Sequence, residues 1–238
     1  MIMTIQNSLG ARFTIVRKAF GIATLVVGAT AAAAPSPWLS DELTPFAVHV
    51  DRTPKQLWPG YGVYLGNGYV LTAAHVVGRS AETRPQVVVD QRSYAAEVVK
   101  EGTFDASDLT LLRVDPQLLP GRLQWRRLTL CRTPPIPGQP VVVVTPEGLA
   151  SSRVLDPRRL PPDLRRRFPT DIADVDTTGD SGSGVFDARD GCLMGIMSRK
   201  IELIHRDPSS FRTTRLAIAK YFVPVETIHE FLPPDVQF

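Results

Sequence analysis

The sequence predicts an all-β fold, a barrel or sandwich, closed by a single terminal helix. Three observations predict it. Short apolar runs recur along most of the chain, separated by Gly, Pro, Asn and Asp, which is the punctuation of strands and turns. Only residues 223–232, "VPVETIHEFL", space their apolar side chains by three and four, with proline near the start, as a helix does. The 238 residues, 43% hydrophobic and 21% charged, suffice for one large β domain or two small ones and argue against wholesale disorder.

The chain opens with Arg12, Arg17 and Lys18 and no acid, ahead of an apolar, small-residue run, Ala19–Ala34, that ends in Ala-x-Ala choices before Pro35. That is the layout of a secretory signal peptide. The alternative is a membrane anchor, but the run falls short of the about 20 apolar residues that span a bilayer. Residues 1–34 are therefore expected to be removed, leaving a secreted or periplasmic protein with no stable membrane span. Residues 35–45 are Pro-rich and polar and read as a tether. Taking the three leader cations off the 27 basic residues leaves 24, against 24 acids. Such a balance points to neither nucleic acid nor an anionic surface as partner.

The strands follow in order. "GYGVYL" and "YVLTAA" flank Gly66-Asn67-Gly68, a hairpin signal. "QVVVD" and "SYAAEVV" flank Gln91-Arg92, and "DLTLLRV" is a β-rich run after an acid. "TPPIPGQP" lies in the Pro-rich stretch Pro120–Pro140, the natural crossing between two halves. Beyond it, "QPVVVVT" has the length of a buried strand, "SGVFD" and "CLMGIMS" flank a turn at Ala188–Gly191, and "TRLAIAKYFV" is a late strand. Residues 151–168 break the pattern with six arginines, of which 153–167 is the Arg-rich core. The segment reads as a solvated loop, with a contact surface for an acidic partner as the alternative. Cys131 and Cys192 are too few for a disulfide scaffold and lack metal-ligand spacing, so no metal is expected; whether they pair is left open.

Three side chains then stand out by their order. His75 ends the strand "VLTAAHVV", Asp108 stands at the mouth of "DLTLLRV", and Ser181 sits in "TTGDSGSGVF". Each has a bland reading alone: a structural histidine, a strand-start acid, a Gly-rich turn. Together they form a chemical set. Serine is a poor nucleophile unless a base takes its proton, and the base needs an acid to hold its tautomer. A tight turn with Gly179 and Gly182 can aim backbone N–H groups at a developing oxyanion. The order His, Asp, Ser differs from the Asp, His, Ser and Ser, Asp, His orders of other serine hydrolases.

On "TAAH", "DLTLL" and "GDSGS", with "GCLMGIMS" and the closing strand and helix, residues 46–235 resemble the chymotrypsin-like (trypsin-like) serine proteases, in particular exported bacterial members. The resemblance implies two antiparallel six-stranded β-barrels with a C-terminal helix and the site between them. Residues 46–125 would form the barrel carrying His and Asp, and 126–238 the barrel carrying the nucleophile. It implies Ser181 as nucleophile, His75 as general base and Asp108 as orienting acid, with Asp105 as competitor. The N–H groups of Gly179 and Ser181 would form the oxyanion hole, and Ser198 would bond the acid. Substrates would be proteins or peptides, cleaved without metal or cofactor; the oligomeric state is left open.

The chain also departs from that pattern. Gly184 stands where proline is usual, which should loosen one turn. No "IVGG"-like start precedes His75 to supply an amine for Asp180, and Val76 replaces a common cysteine. Val175 takes the place of the specificity acid, with Asp174 and Asp176 beside it. Arg199 and Lys200 follow Ser198 where an aromatic and a glycine are common; they would favour acidic substrates or narrow the cleft. These departures motivate a rival reading, a catalytically silent homologue acting as a binding or regulatory module.

Overall fold

The computed structural model describes residues 37–53, 60–173, 180–206 and 213–236. The elements belong to one compact unit, Ala32–Phe238. Strands β1 (Ala47–Asp51), β2 (Gly60–Gly66), β3 (Tyr69–Thr72), β4 (Gln86–Val89), β5 (Arg92–Ala95), β6 (Glu97–Glu101) and β7 (Thr110–Arg113) form an antiparallel sheet in the order β5-β4-β1-β2-β3-β7-β6. Strands β8 (Pro140–Thr145), β9 (Gly148–Arg153), β10 (Asp171–Ile172), β11 (Gly184–Asp187), β12 (Leu193–Arg206) and β13 (Thr213–Pro224) form a second, in the order β10-β13-β12-β11-β8-β9. Helices α1 (Pro37–Leu43), α2 (Ala74–Val77), α3 (Gly121–Gln124), α4 (Pro162–Arg167) and α5 (Val225–Phe231) are short.

The expected two-barrel all-β class is what the chain adopts, with seven strands in the first sheet. The seventh arises because "SYAAEVV" is two strands. Ala96 breaks it, donating its N–H to the Pro85 carbonyl at 3.0 Å. The residues before Ala96 pair with β4 and those after it with β7, at opposite edges of the sheet. One residue can join two edges only if the sheet curls on itself, so this connection closes the half-barrel. The preceding turn sits at Asp90-Gln91, one residue earlier than expected, with both residues at positive φ, 50° and 63°, as a tight hairpin demands.

Three more elements escape the periodicity. The segment read as a tether holds α1, whose Leu39 and Leu43, one turn apart, are 1% and 4% exposed in the core. Strand β9 runs into the Arg-rich segment, and α4 closes it. Its arginines are exposed, while Leu160 and Phe168 pack under Ile201 and Ala219. The long β12–β13 hairpin extends "CLMGIMS" through Arg206. Helix α5 forms as expected, burying Val225, Ile228 and Phe231.

The crossing segment is tied to the second sheet. Leu130 bridges Leu193 in parallel, and Cys131 N–H donates to the Leu193 carbonyl at 3.0 Å. Cys131 and Cys192 are joined by a disulfide there, with Cα atoms 5.0 Å apart. Among the described residues, no helix is long and apolar enough to cross a membrane. The expected signal segment 1–34 lies outside the described residues.

Candidate active site

His75 is placed by small residues. Strand β3 ends at Thr72, and the buried Ala73 and Ala74 let the chain turn into α2 against the loop before β7. The Ala74 N–H donates to the Asp108 backbone carbonyl at 3.1 Å. The His75 N–H donates to Asp108 Oδ1 at 3.2 Å. His75 Nδ1 lies 3.0 Å from both carboxylate oxygens of Asp108. Backbone and side chain of the acid thus grip one turn of helix, which fixes the ring orientation. Arg52 donates to the His75 and Val76 carbonyls at the end of that turn.

Asp108 is 1% exposed and sits at φ +47°, a left-handed conformation unusual for a residue with a side chain. Its N–H, donated to the Thr103 carbonyl at 2.9 Å, closes the 103–108 loop and holds it there. The competitor Asp105 is exposed on the outside of the same loop. Asp108 is therefore the acid that meets His75.

Ser181 is held by its backbone. Its carbonyl accepts the Tyr61 N–H from β2 at 3.0 Å, and Gly182 N–H donates to the Met197 carbonyl at 2.8 Å. Gly182 is required at this point: φ is +92°, and a Cβ would fall 1.8 Å from the Tyr61 carbonyl oxygen. Ser183, the neighbouring hydroxyl, is turned into the interior at 1% exposure, without a hydrogen-bond partner among the described residues. Gly184 lies within β11 rather than in a turn. A side chain there would strike Phe186 at 2.5 Å and Val63 at 2.8 Å, so glycine tightens this packing instead of loosening it.

Ser198 joins the pieces. The β12–β13 register slips between Met197 and Arg199, leaving Ser198 as the extra residue of a bulge. Fully buried, its hydroxyl donates to Asp108 Oδ2, and its carbonyl accepts the Ser181 hydroxyl at 3.0 Å. The structure thus gathers His75, Asp108, Ser181 and Ser198. Among the described residues no hydrogen bond joins Ser181 Oγ to the His75 ring; the hydroxyl is turned to Ser198 instead.

Arg199 does not extend into open solvent. It lies 3.7 Å above the Phe104 ring, donates to the Phe104 carbonyl at 2.7 Å, and approaches Asp108 Oδ2 at 3.5 Å. Its guanidinium faces the buried carboxylate of Asp108. Lys200 is exposed on β12. Asp180 is also exposed. Gly179, Val175, Asp176 and Asp174 lie outside the described residues.

Sequence reasoning missed three contributors: Tyr61, Phe104 and Arg52. Tyr61 spaces Ser181 through backbone bonds, accepting the Thr72 hydroxyl at 2.5 Å on its own carbonyl. Burial and the neighbouring carboxylate of Glu147 push its phenol up to about 12. Phe104 stands edge-on to the His75 ring, centroids 5.4 Å apart. None lies in "TAAH", "DLTLL" or "GDSGS", and each acts across a long sequence interval, so no local signal marks them as parts of the site.

A family model, the trypsin-like peptidase domain, matches residues 60–196. Among curated proteins, none matches the chain in sequence. The fold is similar to that of a serine endoprotease from Yersinia pestis, with 18% identity and a TM-score of 0.57, covering 80% of this chain and 62% of that one. This chain thus spans less than two thirds of that protein's length. It is also similar to the Rv3671c protease from M. tuberculosis in its active form, with 19% identity, a TM-score of 0.53, and 91% and 92% of the two chains covered. A human pathogenic astrovirus serine protease aligns at 21% identity and a TM-score of 0.52, over 80% of this chain and 94% of its own. Two curled sheets, a histidine gripped by a buried acid, and a family match over more than half the chain converge: this protein belongs to the family of trypsin-like peptidase domains.

Proposed function

We propose that this protein is a serine endopeptidase that hydrolyses peptide bonds through an acyl-enzyme, with Ser181 as nucleophile, His75 as general base and Asp108 as its orienting acid. The observation that carries this reading is the Ser198 bridge, which brings the Ser181 hydroxyl and the Asp108–His75 pair to one residue. With Nδ1 facing the carboxylate, the ring carries its proton there, and the Nε2 lone pair is free to accept one. For reaction, the Ser181 hydroxyl turns from the Ser198 carbonyl to Nε2. Its oxygen attacks the substrate carbonyl, and the proton passes through His75 to the leaving amine. Water then repeats the sequence on the acyl-enzyme. The N–H groups of Ser181 and Gly179 receive the oxyanion. Neither metal nor cofactor takes part.

The rival is the silent homologue, favoured by the Ser181 hydroxyl being bonded to Ser198 rather than to His75. Labelling with a fluorophosphonate separates the two. The enzyme reading expects one adduct on Ser181, none in Ser181→Ala, and cleavage of a denatured protein substrate by the wild type only. Absence of adduct and cleavage alike would establish the silent homologue. The same protein is read as exported to the periplasm or beyond, its leader cut near residue 35; N-terminal sequencing that found Met1 on soluble cytoplasmic protein would overturn that.

A further inference from the structure

We propose that the arginine-bearing segment around α4 is a docking surface for an acidic stretch of the polypeptide substrate, several residues away from the bond that is cut. The fate of the docked chain rests on the protease reading; the docking does not.

The charge is concentrated. Bases and acids balance beyond residue 34, yet residues 151–168 hold six arginines against Asp156 and Asp163 alone. Both acids are already engaged: Asp156 Oδ1 accepts the Arg158 N–H at 2.9 Å, and Asp163 pairs with Arg166. All six arginines are exposed. Among the described residues, Arg166 is the one of the six that meets a carboxylate.

The segment is a built platform, not a loose loop. Leu160 and Phe168 are 5% and 8% exposed and pack with Ile201 of β12 and Ala219 of β13. The Leu155 N–H donates to the Asp171 carbonyl at 2.7 Å, and the Phe168 N–H closes α4 on the Leu164 carbonyl at 2.7 Å. Pro157, Pro161 and Pro162 stiffen the backbone between. Charges on a backbone already ordered bind at a smaller entropy cost. Guanidinium groups also match carboxylates in geometry as well as in charge.

The platform abuts the site. Arg167 lies over the Phe168 ring at 5.3 Å, and Arg199 lies 5.5 Å from the same ring. Arg199 in turn lies 3.7 Å from the Phe104 ring, which stands 5.4 Å from that of His75. A few contacts in series thus join the arginines to the reaction centre. An extended peptide advances about 3.3 Å per residue, so a chain held at Ser181 reaches α4 in roughly five residues. This continuity with the cleft, together with the excess of positive charge, assigns the surface to the substrate chain itself. Arg199, turned to Asp108, is not part of it.

The test uses peptides that share one cleaved sequence, found by digesting a denatured protein. They carry four glutamates or four glutamines beginning about five residues from the cut bond, on either side of it. On one side the glutamate form should be favoured in kcat/KM on the order of tenfold at low salt, because three or four exposed pairs contribute a factor of about two each. The ratio should fall below about threefold near 0.5 M salt, where screening is short-ranged. Arg165→Gln, Arg166→Gln and Arg167→Gln together should bring it under about twofold, and the matching lysine triple should keep most of it. Ratios are compared, so a general change in activity cancels. If the glutamine triple does not fold, Arg158→Gln with Arg159→Gln should lower the ratio by about twofold or more. Anisotropy of labelled glutamate and glutamine peptides on the Ser181→Ala protein reads the same preference without cleavage. Equal kcat/KM and equal binding of the two forms, or a preference that survives in the glutamine triple, would overturn the proposal. Duplex DNA of equal charge that binds as tightly as the glutamate peptide would overturn the assignment to substrate. Glutamate-selective binding in a protein that neither labels nor cleaves would refute the protease reading alone. Cleavage without preference would refute the docking surface alone.

Discussion

Replacing Asp171 with asparagine should make the stability of this protein much less sensitive to rising pH. Asp171 lies in β10, paired with Tyr221 of β13, and is 2% exposed. Among the described residues neither carboxylate oxygen has a hydrogen-bond partner. Burial pushes its carboxyl up to about 7, from an ordinary 3.8. The folded chain therefore holds this proton to much higher pH than the unfolded chain does. The stability contributed by the neutral group is fully present below about 3.8 and is lost as pH rises through about 7. Each pH unit of separation is worth about 1.4 kcal/mol, so the whole loss is on the order of 4 kcal/mol, of which roughly 3 falls between about pH 5 and 8. The amide introduced by Asp171→Asn has no proton to lose over that range. Urea unfolding at several values across it, in the Ser181→Ala background to prevent self-cleavage, gives the difference in stability between the Asp171→Asn variant and its parent. That difference should shift in favour of the variant by roughly 3 kcal/mol as pH rises. Parallel stability curves for the two proteins would refute the reasoning and mean that the folded chain ionises Asp171 without penalty.

Three further outcomes are expected. Asp108→Asn should lower kcat on the order of 10⁴-fold by leaving His75 in the wrong tautomer, while Asp105→Asn, on an exposed loop, should stay within about twofold; a reversed pair of effects would reassign the acid. Ser183→Ala should label with fluorophosphonate as the parent does and be as stable or more so, by up to about 1 kcal/mol, since its buried hydroxyl has no partner to lose; lost labelling would place Ser183 in the reaction. Cys131→Ser with Cys192→Ser should lower unfolding stability by about 4 kcal/mol, because the disulfide spans 61 residues of sequence; unchanged denaturation midpoints would show that the bond stabilises little.

By itself the sequence determined the all-β class, the closing helix and the three candidate side chains His75, Asp108 and Ser181. These are local facts. Apolar runs broken by turn residues report strands whatever their partners are, and "TAAH", "DLTLL" and "GDSGS" carry their neighbours with them. It could also rank Asp108 over Asp105, because only the former abuts a strand. Other features depended on which segments meet. "SYAAEVV" became two strands because curling brings both edges of the first sheet to Ala96. The tether became α1 because Leu39 and Leu43 find a core to enter. Cys131 and Cys192 became a disulfide because the crossing segment runs beside β12. Arg199, read from its charge as a feature of the cleft, was redirected to Asp108 by one extra residue in β12. A bulge reverses the face of a side chain without leaving any mark on composition or periodicity. Long-range register, which is decided only when the whole sheet packs, therefore governed where this charge acts.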